Sequence, residues 1–187
     1  TYTKTFAEKH NLDAMIGGEY YTYNQFDFEA KTQGSPTDDV PTLNVGSERT
    51  FTRTEKTAYR ILSGFGRVNY NYNMKYLLSF TARYDGISRL KDNRWGFFPG
   101  VSVGWNIMEE DFWKESKVSD IVSNLKPRLS YGVNGNVNGI GNYEVYGEYA
   151  QVDAKTYGGA TALYNKKLLN TNLRWEQSQT FEVGLDI

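Results

Sequence analysis

Apolar and polar residues alternate with a period of two through much of the chain, a pattern typical of β-strands with one apolar face. The clearest case is Tyr76–Asp85, where the even positions are apolar or aromatic and the odd positions are mostly polar. The same alternation predicts six further strands: Tyr2–Phe6, Leu12–Tyr20, Leu62–Tyr72, Val101–Ile107, Leu125–Val133 and Phe181–Ile187. We therefore expect an all-β protein with about seven strands.

The connections between these strands differ in length in a regular way. Short turns are predicted at Glu8–Asn11 and Asn73–Lys75, and long polar loops at Ala30–Thr50, Gly86–Gly96 and Asn134–Asn172. If the strands are antiparallel in chain order, the short turns lie at one edge of the sheet and the long loops at the other. This arrangement is typical of outer-membrane β-barrels, whose short turns face the periplasm.

Two of the connections are predicted to contain local structure. The segment Glu109–Lys114 begins with three acidic residues, which the partial positive charge of a helix N-terminus favours. It is interpreted as a short helix in a periplasmic turn, with an acidic solvated loop as the alternative. Inside the longest loop, Asn142–Val152 is predicted to form a strand that stays outside the main sheet.

Alternation alone does not distinguish a soluble β-sandwich, whose apolar face is a core, from a membrane barrel, whose apolar face contacts lipid. Two features favour the barrel. Basic residues lie opposite the apolar faces, as a polar lumen requires: Arg67, Arg83, Lys126 and Arg128. Aromatic residues lie towards strand ends, as an interfacial girdle requires: Tyr76, Tyr84, Trp105, Tyr131 and Trp175. Because bacterial barrels use an even number of strands, seven strands predict an antiparallel segment of a larger transmembrane β-barrel.

The amino-acid composition favours a strand-rich fold and argues against several classes of function. Aromatic residues make up 16% of the chain, and aromatic residues favour strands. A net charge of −1 without a basic stripe disfavours nucleic-acid binding. The chain has no cysteine, so disulfides and thiolate metal sites are excluded. Its single histidine, His10, is predicted to be a turn residue beside Asn11.

The segment Gly100–Gly104 matches the G-x-S-x-G nucleophile elbow of α/β-hydrolases. That elbow needs a sharp strand-to-helix turn and a histidine later in the chain. Here Ser102 continues a strand pattern, and His10 lies far upstream. The motif is therefore interpreted as part of an ordinary strand.

The glycine- and asparagine-rich segment Gly132–Gly141 could suggest a phosphate cradle, but no helix pattern follows it. Turns with positive φ are predicted there instead. Asp85 and Asp92 flank a loop without the ligand spacing of a calcium-binding hand. Since no pair of carboxylates suggests acid–base catalysis, we expect no enzyme, no metal and no cofactor.

The run from Arg83 to Phe112, RYDGISRLKDNRWGFFPGVSVGWNIMEEDF, resembles a stretch of SusC/RagA-type TonB-dependent outer-membrane transporters. The family pattern is roughly R-x-D-G-S-S-R-F, then N-R-W-G-x-F-P-S-x-S-x-G-W, then E-E-x-F. The chain departs from this pattern at Ile87, Leu90, Gly100 and Asn106. Further similar blocks are Gly66–Tyr72, Lys75–Leu78, Ser130–Gly132, Gly135–Asn136, Ile140–Tyr143, Leu173–Glu176 and Gly184–Asp186.

The resemblance implies that residues 1–187 are part of the C-terminal β-barrel domain of a 22-stranded, plugged barrel. The plug domain, the TonB-contacting segment and the signal peptide would lie outside this chain. Such transporters import oligosaccharides or peptides across the outer membrane of Gram-negative bacteria. The implied partners are TonB, a SusD-like surface lipoprotein, the substrate and outer-membrane lipid. A passive outer-membrane porin and a soluble β-sandwich binding module are the alternatives.

The resemblance also gives the long loops a role, because Gly86–Gly96 and Asn134–Asn172 would face the lipoprotein or the ligand. Four side chains in the first loop are candidate ligand contacts: Arg89, Asp92, Arg94 and Trp95. The alternative is a solvated loop held by its own Asp/Arg pairs. Ligand contacts vary within the family, so no binding residue is transferred from it.

Overall fold

The computed structural model describes residues 1–40, 42–116, 122, 124–157 and 160–187. The strands, numbered in chain order, are β1 (Tyr2–Phe6), β2 (His10–Gln33), β3 (Glu48–Tyr72), β4 (Tyr76–Ile87), β5 (Trp95–Trp105), β6 (Lys126–Asn136), β7 (Glu148–Tyr157), β8 (Ala160–Lys167) and β9 (Glu176–Asp186). Helical turns span Ile107–Glu109, Asp111–Lys114 (α1) and Glu144–Tyr146. Among the described residues, no helix has the length and apolar character needed to span a bilayer.

Seven of the strands form one antiparallel sheet in the order β1-β2-β3-β4-β5-β6-β9. The other two, β7 and β8, form a separate hairpin within the long connection between β6 and β9. The predicted all-β antiparallel segment of about seven strands is therefore confirmed. The extra strand predicted at 142–152 is confirmed only in part, because it begins at Glu148, after a helical turn.

Strands β2 and β3 are far longer than predicted, with 24 and 25 residues. They pair from His10↔Tyr72 to Gln33↔Glu48, whereas β4 follows β3 only as far as Ile61↔Ile87. The upper part of this hairpin is rich in polar residues on both faces, so alternation is weak there, although its many threonine and aromatic residues favour strands. The loop predicted at 30–50 shrinks to residues 34–47 as a result.

The cross-strand register separates the sheet into an apolar face and a polar face. One row of the apolar face crosses all seven strands: Tyr2, Ala14, Val68, Phe80, Val101, Tyr131 and Phe181. The neighbouring row of the polar face crosses all seven: Thr3, Asp13, Asn69, Ser79, Ser102, Ser130 and Glu182. Since each strand keeps the same phase, the alternation predicted within single strands extends across the whole sheet.

Aromatic side chains mark both ends of the apolar face. At the short-turn end, the rings of His10, Tyr72, Tyr76 and Trp105 follow one another with centroid separations of 4.8, 6.3 and 6.4 Å. At the long-loop end, Tyr84 stacks on a tryptophan, with the ring centroids 5.1 Å apart. The girdle positions predicted for Tyr76, Tyr84 and Trp105 are confirmed.

Three aromatic predictions are wrong. Tyr131 lies in the middle row of the apolar face rather than at its end. Trp175 lies among the long loops, where its Nε1 donates a hydrogen bond to the carbonyl of Arg94 at 2.9 Å. His10 is not a turn residue, because it begins β2 and its Nδ1 lies 2.7 Å from the Tyr70 hydroxyl.

The two predicted short turns are confirmed. Each contains two adjacent residues with positive φ: Ala7 and Glu8 in the first turn, and Asn73 and Met74 in the second. Two positive-φ residues match the twist of the flanking strands in a tight hairpin. Further backbone hydrogen bonds join the connections at this edge, including one from Asn73 N to the Lys9 carbonyl at 2.6 Å.

The connection after β5 contains the predicted short helix, as a helical turn followed by α1. Between the two, the Glu110 carboxylate accepts hydrogen bonds from the Tyr76 hydroxyl (2.7 Å), Lys75 Nζ (2.9 Å) and Trp105 Nε1 (3.1 Å). Because these donors stabilise the ionised carboxylate, the pKa of Glu110 falls from 4.5 to about 2. One side chain thus joins the β3–β4 turn, the aromatic row and the connection after β5.

The close contact between β5 and β6 depends on glycine. Their pairing ends at Gly100↔Gly132, and beyond it the Phe98 ring, 8% exposed, lies against Gly96 and Gly135. A Cβ on Gly135 would overlap this ring. The positive-φ turns predicted for 132–141 are wrong, because the glycines with positive φ in the described chain are Gly34 and Gly147. Gly135 of β6 therefore serves close packing, not chain reversal.

We expect Gly135→Ala to destabilise the protein by about 1–3 kcal/mol, because the added methyl group overpacks the site under Phe98. The measurement is denaturant unfolding in detergent. Gly132→Ala is the matched control in the same strand, since nothing described lies within 4 Å of its would-be Cβ. Equal stability of the two variants would contradict the packing role of Gly135.

We expect the contacts of Glu110 to survive mild acid. Its folded-state pKa of about 2 lies below the ordinary value of 4.5, so it contributes stability above pH 4.5 that is lost as the pH falls through about 2. Tryptophan fluorescence followed during acid titration should show this step in the wild type and lose it in Glu110→Gln.

The control for the acid titration is Glu109→Gln, because Glu109 pairs with exposed Lys114 instead of the aromatic row. This variant should titrate like the wild type. A wild-type midpoint near pH 4.5, or an unchanged step in Glu110→Gln, would show that Glu110 does not control the transition.

Candidate functional site

The polar face of the sheet carries a network of paired charges. Arg83 Nε donates to both carboxylate oxygens of Asp85 at 2.8 Å, and Nη2 donates to Glu19 and Ser63 at 3.0 Å. Asp85 is only 8% exposed, so the arginine provides the ion-pair partner that a buried carboxylate needs. The four acceptors come from three strands, which makes Arg83 a fixed cross-link on this face.

The other basic residues predicted to lie opposite the apolar face also lie on the polar face. Lys126 and Arg128 both pair with Asp186, at 3.3 and 3.5 Å. Arg67 lies on β3 opposite Thr81, in register with the same face. The polar face therefore combines paired charges with the hydrogen-bonded row described above, in which Asn69 donates to Asp13 at 3.3 Å.

At the long-loop edge, three connections pack together against this polar face. Ile87, Leu90 and Val145 are buried there, although Val145 lies far along the chain from the other two. Partly buried residues surround them: Tyr59, Ile61, Val137, Ile140, Leu173 and Trp175. We call this group of nine residues the loop core. It joins the connections before and after the β7–β8 hairpin to the connection between β4 and β5.

Hydrogen bonds attach the loop core to the edge of β3 that extends past β4. The Ser88 amide donates to the Arg60 carbonyl at 3.0 Å, and the Arg60 amide donates to Ser88 Oγ at 2.9 Å. Higher on the strand, the Ala58 amide donates to the Tyr143 hydroxyl at 3.1 Å. These contacts satisfy backbone groups that an unpaired strand edge would expose.

Glu144 fixes the loop before β7. Its carboxylate accepts the Gly141 amide at 2.8 Å and pairs with Lys167 at 3.1 Å. The hydrogen bond from Gly141, followed by the pairing with Lys167, lowers the pKa of Glu144 below its ordinary value. Gly147 then turns the chain at a φ of 74°, which only glycine adopts readily.

The structure separates the four candidate residues. The Arg89 guanidinium lies 4.0 Å from the Tyr59 ring centroid, and its Nη1 donates to the Ile140 carbonyl at 3.4 Å. Arg94 Nε donates to the Lys91 carbonyl at 3.2 Å. Both arginines therefore hold loop backbone or an aromatic ring in place.

The other two candidates lie elsewhere. Trp95 lies on the apolar face, stacked on Tyr84 and covering Gly86. Asp92 is exposed, and within the described chain no ion pair joins it to an arginine. The alternative of a loop held by its own Asp/Arg pairs is therefore wrong, because carbonyls and rings hold these arginines instead.

Sequence reasoning missed a tyrosine cluster on the polar face beside the loop core. The Tyr59 ring centroid lies 5.0 Å from that of Tyr23 and 5.9 Å from that of Tyr21. Tyr21 and Tyr23 were missed because the strand was predicted to end at Tyr20. The sequence YYTYNQFDF, which continues with aromatic residues at strand spacing, could have extended it.

These groups are suited to holding a polar molecule by hydrogen bonds and aromatic contacts. Within the described residues, no cluster of three or more metal-binding side chains is present. Ser102 of the G-x-S-x-G match lies in the middle of β5, paired with Ser79 and Ser130. A nucleophile elbow needs a turn at that serine, and the strand continues through it instead.

Comparisons with known proteins agree with this arrangement. The family model described as TonB dependent receptor-like, beta-barrel, matches residues 1–187. The TonB-dependent receptor SusC of Bacteroides thetaiotaomicron is 38% identical over 186 residues, which are 95% of this chain and 18% of SusC. TonB-dependent receptor P3 of Formosa agariphila is 34% identical, over 100% of this chain and 19% of P3.

Solved structures give the same result. The structure of the RagAB peptide transporter matches with a TM-score of 0.84 and 29% identity, over 98% of this chain and 20% of the matched chain. The RagAB peptide importer in an open-open state matches with a TM-score of 0.83. This chain therefore spans about a fifth of the length of these relatives.

We expect Leu90→Ala to open the loop core, since removing a completely buried leucine side chain costs about 2–5 kcal/mol. Amide hydrogen exchange should accelerate in residues 137–147, while exchange in β3, β4 and β5 stays unchanged. Leu168→Ala is the matched control, because Leu168 is 78% exposed. Equal exchange in the two variants would show that the three connections do not depend on a shared core.

Proposed function

Because this chain belongs to the TonB-dependent receptor β-barrel family and is similar to SusC and RagA, we propose that it forms part of the wall of an outer-membrane importer. Its apolar face then contacts lipid, and its polar face lines the lumen. The observation that carries the proposal is the uncovered apolar face between two aromatic rows. Ile16 on this face is 87% exposed, which a lipid contact explains and a soluble surface disfavours.

We further propose that residues 1–187 belong to a C-terminal barrel domain whose plug lies elsewhere in a longer polypeptide. Strands β1 and β9 each have one unpaired edge in this sheet. Unpaired backbone groups are very unfavourable in lipid, so both edges need further strands as neighbours. The relatives are about five times longer than this chain, which supports the same proposal.

For the cargo, we propose an oligosaccharide or a peptide. Either is a polar chain that can exchange hydrogen bonds with the lumen-facing rows. The tyrosine cluster of Tyr21, Tyr23 and Tyr59 adds aromatic surface near the entrance. Among the relatives, RagAB is described as a peptide transporter, which supports the peptide alternative.

The long-loop edge is the proposed contact surface for a SusD-like surface lipoprotein. The β7–β8 hairpin exposes Tyr149, Leu163 and Tyr164 there. Of the four candidate contacts, Arg89 and Arg94 lie beside the loop core and Asp92 lies on the exposed loop. These three are proposed to face the lipoprotein or the cargo. Trp95 is proposed to contact the membrane interface, given its place beside Tyr84. Contact with TonB would involve the plug region.

Two alternatives predict different behaviour. A passive porin shares the strand pattern but needs no energy from TonB. A soluble β-sandwich needs a second sheet over the apolar face, and the second sheet in the described chain is a two-stranded hairpin. The family match and the uncovered face both favour the transporter.

The testing experiment measures uptake by cells that produce the complete native polypeptide, with and without functional TonB. Labelled oligosaccharides and labelled peptides are supplied separately. We expect accumulation of one cargo class, at least about tenfold lower without TonB, and recovery of the protein in the outer-membrane fraction. TonB-independent uptake would favour the porin, and a detergent-free soluble protein would favour the sandwich.

A further inference from the structure

A patch of small residues interrupts the apolar face towards its long-loop end: Gly18, Gly64, Gly66 and Ala82. Gly18 pairs with Gly64 in one row, and Gly66 pairs with Ala82 in the next. Adjacent strands lie about 4.8 Å apart and adjacent rows of one face about 6.7 Å apart. The patch therefore covers about 10 by 7 Å, which accommodates the width of an extended hydrocarbon chain.

Large side chains surround this patch and make it a hollow. The neighbours on the same face are Ile16, Leu62, Val68, Phe80, Tyr84 and Phe97. The structure has an open hollow of about 680 Å³ here, whose lining includes Ile16, Gly64, Gly66, Ala82 and Phe97. Because the apolar face is the proposed lipid-contacting face, the hollow would open directly into the hydrocarbon region of the bilayer.

The fold itself does not require glycine at position 64. Gly64 lies inside β3 without a positive φ, and nothing described lies within 4 Å of its would-be Cβ. Glycine inside a strand is unfavourable, and it often marks a place where a ligand approaches closely. Gly135 is different, because the Phe98 ring already occupies the space above it.

A cationic group lies beyond the hollow on the same strand and face. Arg60 is four residues from Gly64, about 13 Å along the strand, and Leu62 lies between them. The Arg60 side chain is exposed, and among the described residues it has no acidic partner. The Tyr84–Trp95 stack lies one to two rows below Arg60, because Tyr84 pairs with Gly64 and Trp95 lies in the row of Leu62. Such aromatic side chains are typical of the level at which an apolar face meets lipid headgroups, and Arg60 lies just beyond that level.

We propose that the hollow binds one acyl chain of a phosphate-bearing membrane lipid, with Arg60 contacting the phosphate of the same lipid. The proposal rests on the membrane placement proposed above, but on neither the cargo nor TonB. The apolar lining of the hollow, its width and the positive charge of Arg60 all fit this ligand. A second copy of the protein could also cover small residues, but it would leave the nearby arginine without a defined partner.

The test is native mass spectrometry of the complete native polypeptide in detergent, titrated with dioleoylphosphatidylglycerol or dioleoylphosphatidylcholine. We expect the wild type to retain one phosphatidylglycerol with about tenfold higher affinity than phosphatidylcholine. Gly64→Leu should lower retention of both lipids about tenfold by filling the hollow. Gly132→Leu is its matched control, because that position is equally open but lies on the polar face.

The charge is tested separately. Arg60→Gln should reduce the affinity for phosphatidylglycerol to that for phosphatidylcholine. Arg49→Gln, which removes a charge near the tip of the same hairpin, should have no effect. All variants are first compared with the wild type by denaturant unfolding, so that loss of lipid is not confused with loss of the fold.

Three outcomes would overturn the proposal. Equal lipid retention in Gly64→Leu and Gly132→Leu would show that the hollow holds no acyl chain. Dissociation of a dimer by Gly64→Leu, without loss of lipid, would show that the patch joins two copies. A protein that stays monodisperse without detergent would overturn both this inference and the proposed membrane function, whereas the first two outcomes leave that function intact.

Discussion

The structure depends on one constraint, the continuous cross-strand register of seven antiparallel strands. Because side chains alternate between the faces of a strand, a slip of one residue would exchange the apolar and polar faces of that strand. The register instead keeps Phe80 and Val101 in one row and Asn69 and Ser79 in the next. The proposed lipid contact on one side and the proposed hydrogen-bonding lumen on the other both follow from this single register.

The two ends of the sheet maintain the register in different ways. At the short-turn end, tight turns with positive φ and the three hydrogen bonds to Glu110 hold neighbouring strands together. At the other end the strands differ greatly in length, so strand pairing alone does not fix their positions. There the loop core around Leu90 and Val145 packs the connections together, and the Tyr143 hydroxyl accepts a hydrogen bond from the exposed edge of β3. Fixed turns at one edge and a packed loop core at the other suit a barrel wall whose long-loop edge is proposed to contact a lipoprotein and the cargo.

The sequence predicts the sheet better than the site, and the reason is the range of the interactions. Alternation is a local property, so the strands around Tyr76 and Val101 could be recognised, as could the short turns and α1. Loop positions depend on contacts between residues far apart in the chain. Nothing near Arg89 in the sequence indicates that it would lie over Tyr59. Trp95 is in phase with Val101, but its face was missed because the strand was predicted to begin only at Val101.

The glycines of the wall show how one residue type can have opposite meanings at equivalent positions in a strand. Gly135 lies beneath Phe98, where a ring of the same protein already occupies the place of its missing side chain. Gly64 lies on the apolar face, and the space above it is empty among the described residues. At Gly135, the ring that fills the space accounts for the glycine, because a larger residue would not fit. The open space at Gly64 lies on the proposed lipid-contacting face, below an arginine that has no acidic partner among the described residues, and so supports an occupant from outside the chain.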